Sequence, residues 1–166
     1  MPFRLPLLTA IALAAQLSIA GAQGMAVGFG GLRQDTGAPV EVTADALKVD
    51  NATGQATFDG NVVVVQGAMR MAAAKVTVDY GANGQGISRL HATGGVTLAT
   101  SAEAAEASEA TYEVATGALV MIGSVLLTQG GSTIAGERLE ADLRAGTGEM
   151  QGRVKTVFQP GQKGGN

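Results

Sequence analysis

The stretch ADALKVDNATGQATFDGNVVV, residues 44–64, decides how this chain folds. Leu47, Lys48, Val49 and Asp50 alternate apolar with polar, a Gly-containing turn follows at 51–54, and Gly60 leads into a further apolar run. The same order returns as AAKVTVDYGANGQGISRLHATGGVTL (73–98), ASEATYEVATGALVMIGSVLL (107–127) and AGERLEADLRAGTGEMQGRVKTV (135–157). The four copies open at Ala44, Ala73, Ala107 and Ala135, spaced 29, 34 and 28 residues apart. Each sets a glycine before its last apolar run: Gly60-Asn61-Val62, Gly95-Val96, Gly123-Ser124-Val125 and Gly152-Arg153-Val154. Units of about 30 residues built from short strands stack like rungs, because each buries its inward face only against a neighbour.

Working outward, the period-2 signal extends to Val40-Glu41-Val42-Thr43, Val76-Thr77-Val78-Asp79, Val96-Thr97-Leu98 and Tyr112-Glu113-Val114. Gly-containing turns separate these runs, at 81–86, 94–95, 130–131 and 146–148 among others. The four prolines are Pro2, Pro6, Pro39 and Pro160, so none interrupts 40–159. Proline cannot donate to a central ladder, and a proline-free stretch of this length suits a continuous sheet. One segment conflicts with its surroundings. Residues 101–110, SAEAAEASEA, have helix-former composition. The repeat register makes the part after Ala107 a strand and leaves 101–106 as a short helical or loop insert.

The borders differ in character. Residues 1–22 read as a cleaved signal peptide, with Arg4 ahead of an apolar Leu7–Ala20 core and a small-x-small site at Ala20-Gly21-Ala22. Residues 23–39 form a Gly-rich leader expected to be flexible, 40–159 the folded unit, and 160–166 a polar tail. A length of 166 residues suits one domain. Cys and Trp are absent and His91 is the single histidine, which excludes thiol chemistry, disulfides, Cys-ligated zinc and two-histidine metal sites. A net charge of −3 gives no electrostatic case for nucleic acid. An open stack leaves two strand edges that invite pairing with another chain.

The 40–80 segment, VEVTADALKVDNATGQATFDGNVVVVQGAMRMAAAKVTVDY, resembles the repeat of the LptA/OstA family of periplasmic lipopolysaccharide-transport proteins, the OstA-like N-terminal domain. The V-x-V-x-A-D opening at 40–45, the F-x-G-N-V-x-V-x-Q-G centre from Phe58 to Gly67, and the A-x-K-V strand at 73–76 carry the resemblance. A-T-Y-E-V at 110–114 and L-x-x-x-G-x-V-x-L-x-Q at 119–129 extend it. It implies an all-β fold, a twisted, half-open antiparallel β-jellyroll. It also implies a periplasmic protein that shields lipid A acyl chains of lipopolysaccharide and bridges the two membranes. The partners implied are an inner-membrane LptC-like protein, an outer-membrane LptD-like β-barrel, and further copies joined head to tail. Within the family an LptC-like subunit is the nearest alternative; a lipid-free assembly module of the envelope is another.

The residues themselves are compatible with this. If Leu47, Val49, Val76, Val78, Tyr112 and Val114 face inward, the interior is aliphatic, with Phe58, Met69, Met71 and Met121 interspersed. Such a surface adapts to acyl chains, although an ordinary sheet core needs the same residues. By matching positions, the acyl contacts are expected at Val40, Val42, Leu98, Tyr112 and Val114, with the Tyr112 hydroxyl at a wet mouth. No catalytic constellation is legible, so neither enzymatic activity nor a cofactor or metal is expected. His91 reads as a surface or turn residue, the serines lack a G-x-S-x-G setting, and the 81–86 glycines lack the lysine of a phosphate loop.

Overall fold

A computed structural model describes residues 25–28, 33, 35–82, 84 and 86–159. Residues 1–22, expected from sequence to be a signal peptide, and the 160–166 tail lie outside the described residues. Eleven strands form one antiparallel sheet: β1 Met25–Gly28, β2 Val40–Thr43, β3 Ala46–Asp50, β4 Gln55–Gln66, β5 Met69–Tyr80, β6 Ile87–Ala99, β7 Glu103–Glu113, β8 Ala118–Gln129, β9 Ser132–Asp142, β10 Thr147–Gln151 and β11 Lys155–Val157. From β4 to β9 every strand pairs with its sequence neighbours, the order expected of hairpins joined by short Gly turns.

Each long strand bends at its middle. Register shifts fall at Asp59/Val62, Thr93/Val96, Glu106/Glu109 and Ile122/Val125, forming one line of bulges across the sheet. At both ends of the stack the bend becomes a break. β2 pairs with the second half of β4 and β3 with the first, while β11 and β10 divide β9 in the same way. Two half-sheets result, folded face to face about the bulge line over a single apolar core. Alternation puts Val62, Val64, Met71 and Leu98 into it from one half, and Val76, Val78, Leu90 and Leu139 from the other.

The repeat's glycines make the bend. Gly60, Gly94, Gly123 and Gly152 all have φ between +80° and +88°, and the next residue, Asn61, Gly95, Ser124 or Arg153, also has positive φ. A side chain at the first position would strike the adjacent strand: a Cβ on Gly94 would sit 2.6 Å from Ala74 Cβ, and one on Gly123 2.6 Å from Ser108 Oγ. Glycine is therefore required twice over, for its backbone and for its bareness. In the second repeat the structural equivalent of Gly60 is Gly94; Gly95, aligned with it by spacing alone, holds the place of Asn61.

Three other sequence expectations change. Glu103 already begins β7, so 103–106 is strand and not a helical insert. Ala105 sits between Leu98 and Leu127 across the two ladders, where a small residue fills the space between two large ones, and packing overrides local propensity. Leu47 and Val49 lie opposite Phe58 and Ala56 on the inward side, yet remain 57% and 56% exposed. Among the described residues no strand lies beyond β3 to cover them. Within the leader expected to be flexible, Met25–Gly28 pair with β10 and residues 35–39 are held against the tips of the sheet. Pairing satisfies backbone groups that a free segment would leave to water.

Candidate functional site

All five residues expected to touch an acyl chain pack on the one core, and they come from both half-sheets. Val40 and Val42, on edge strand β2, are half-buried opposite Gln66 and Val64; Leu98 on β6 is fully buried between Met71 and Ala105. Tyr112, on β7, is fully buried between Leu90 and Leu119 in the facing half. Val114, half-buried just beyond β7, donates its backbone N–H to Ser88 O at 3.1 Å. The interior is closed at Leu98 and Tyr112, neither of which reaches solvent.

The Tyr112 hydroxyl is not at a wet mouth. It donates to Gln66 Oε1 at 2.8 Å inside the protein. A buried hydroxyl needs a partner, and the end of β4 supplies one from the opposite half. Burial pushes the phenol above its ordinary pKa, while the positive charge of Arg144 pulls it partly back. Gln66 also reaches outward: its Nε2 donates to Thr36 O at 3.2 Å and to Ala38 O at 3.0 Å. Gln129, which ends β8 as Gln66 ends β4, donates to Gly28 O at 2.9 Å and to Glu103 Oε1. Glu103 itself is buried at the start of β7.

These polar tips were missed in sequence, although a signal existed. Val62, Val64 and Gln66 share one parity, as do Val125, Leu127 and Gln129, and a glycine follows each glutamine. A glutamine on the inward parity needs a buried partner, and parity reading flags it.

The outward face is built differently. Arg89 Nε meets Glu113 Oε1 at 2.5 Å, Lys75 meets Asp59 at 3.1 Å and Arg138 meets Glu140 at 2.7 Å. The Glu113 hydrogen bond and charge raise the Arg89 pKa further. His91, half-buried on β6, places Nδ1 3.1 Å from Thr111 Oγ1. Among the described residues no group of three His, Asp or Glu is placed to hold a metal ion.

Residues 41–147 match the family described as LptA/(LptD N-terminal domain) LPS transport protein. An uncharacterized protein of Rhizobium meliloti is 28% identical over 154 residues, covering 86% of this chain and 83% of its own. The lipopolysaccharide export system protein LptA of Escherichia coli is 30% identical over 139 residues, covering 77% of this chain and 75% of its own. Among solved structures, LptH of Pseudomonas aeruginosa, described as the LptA-homologous periplasmic component of the lipopolysaccharide transport device, superposes with a TM-score of 0.69. It is 23% identical and covers 76% of this chain and 99% of its own.

Proposed function

We propose, from the premise that this chain belongs to the LptA/(LptD N-terminal domain) family of lipopolysaccharide-transport proteins, that it carries lipopolysaccharide across the periplasm with the acyl chains held between its half-sheets. The observation that carries the reading is a bent antiparallel sheet with an aliphatic inner face, ion-paired outer face and apolar residues uncovered at both ends of the stack. Leu47 and Val49 are exposed at one end, Val157 and Phe158 at the other. Among the described residues the outer edges of β2, β3 and β11 carry no further strand, whereas β10 is covered by β1. Edge-to-edge addition of another copy, of an inner-membrane LptC-like protein or of an outer-membrane LptD-like barrel would align successive interiors. Export through a cleaved signal at 1–22 places the chain in the periplasm, and lipid transfer of this kind needs no catalytic group. Val40, Val42, Leu98, Tyr112 and Val114 are the acyl contacts in this reading.

A lipid-free assembly module is the second reading, favoured by the complete burial of Leu98 and Tyr112. Photo-crosslinking to lipopolysaccharide separates the two. Probes at Val42 and Tyr112, on the inward parity, are expected to label, whereas their neighbours Glu41 and Glu113 are not. Equal labelling at both parities, or none at either, removes the lipid-carrying reading.

A further inference from the structure

Opposite the bulge line, where the tips of the two half-sheets converge, residues 35–39 cross from one half to the other. Thr36 Oγ1 accepts from Arg144 Nε at 2.7 Å, and Arg144 lies in the turn between β9 and β10. The Thr36 and Ala38 carbonyls accept from Gln66 Nε2 at the end of β4, in the other half. Arg33 adds a 3.1 Å bond to Arg144 O. A tight turn shapes the segment, with Gly37 N donating to Asp35 Oδ1 at 2.9 Å and Ala38 N to Asp35 O at 3.2 Å. This turn presents both carbonyls to one glutamine.

We propose that residues 35–39 are a strap that latches the half-sheets shut, and that lipid gains the interior by releasing it. The inference rests on the lipid-carrying reading and adds its control. Three observations support it. Tyr112, bonded to the glutamine that holds the strap, and Leu143, next to Arg144, are fully buried, so the interior is sealed where the strap lies. Asp35, Gly37 and Pro39 are exposed and Thr36 and Ala38 only half-buried, so polar contacts and little apolar surface hold the strap. Hydrogen bonds near water exchange for bonds to water at small net cost, which puts this segment at the low-stability end of the fold. Finally, Gln66 joins strap and interior: the residue that binds Thr36 and Ala38 also receives the Tyr112 hydroxyl from the facing half. Opening the latch frees the tips of both halves together.

The chain has no cysteine, so a staple is unambiguous. A Cβ at Gly117 would lie 3.2 Å from Thr36 Cγ2, within the reach of a disulfide in a Thr36→Cys, Gly117→Cys double variant. Stopped-flow uptake of fluorescently labelled lipopolysaccharide is followed for wild type, the oxidised and reduced double variant, and Gly117→Cys alone. Oxidation is expected to slow uptake by about tenfold or more, and reduction to restore it to the rate of Gly117→Cys. In the opposite direction, Arg144→Ala with Thr36→Val, both outside the core, is expected to speed uptake severalfold with an unchanged far-UV circular dichroism spectrum. Lipid uptake that ignores both the staple and the loosened strap overturns the strap and leaves the carrier reading standing. Failure of the wild type itself to take up lipid overturns both.

Discussion

Tyr112 and Gln66 stand 46 residues apart in sequence, on different half-sheets, and share a buried 2.8 Å hydrogen bond from the phenol to the amide oxygen. The bond ties the tips of a sheet that bends along its bulge line. Both partners have inward parity, so each would cost free energy if it faced the aliphatic interior alone. Together they give the two halves one preferred register.

Tyr112→Phe removes the donor and keeps the ring. The expected loss is about 1–2 kcal/mol, since a buried acceptor loses its partner while the apolar packing survives. Urea unfolding should show a lower midpoint with an unchanged slope. An unchanged midpoint would mean that the bond contributes nothing net.

The same residue predicts an alkaline limb. Burial raises the Tyr112 pKa, so the folded state binds the phenolic proton more tightly than the unfolded chain. That contribution is complete below the unfolded value of about 10 and is lost as pH rises through the folded one. Stability should therefore fall above about pH 10, and the fall should be smaller in Tyr112→Phe. Parallel slopes for the two proteins in this range would refute the assignment.

Gly94→Ala tests the hinge. Its φ of +82° and a Cβ 2.6 Å from Ala74 Cβ impose both backbone strain and a clash. A loss of about 2–3 kcal/mol is expected. Adding Ala74→Gly should recover part of it, giving a favourable coupling of at least about 0.5 kcal/mol. Gly54→Ala, at φ +67° with open space around it, should show only the backbone cost. Equal losses at Gly54 and Gly94, with no coupling to Ala74, would show that the close approach is unimportant.

Val157→Pro addresses assembly at the end of the stack that β11 forms. Proline removes one backbone donor from β11, which a ladder on that strand can no longer use. Sedimentation of the wild type should show concentration-dependent association, and the variant should shift toward monomer. A wild type that stays monomeric at high concentration would exclude edge-to-edge joining of copies.

Much of this architecture is legible in the sequence itself. Alternation at Val76–Asp79 and Val40–Thr43 is a local property of strands, and repeated glycines before Val62, Val96, Val125 and Val154 mark the bulges. The repeat spacing put those elements in hairpin order, and the LptA/OstA resemblance followed from the same residues. Other features needed tertiary structure. Residues 103–106 are strand because Ala105 fits between Leu98 and Leu127, a volume relation that no window of the chain contains. Leu47 and Val49 are exposed because the stack ends beside them, although their pattern equals that of buried Val76 and Val78. The Tyr112–Gln66 bond and the strap at 35–39 depend on the angle at which four bulges fold the sheet. Periodicity sets which side of a strand a residue faces; only the closed sheet decides what meets it there.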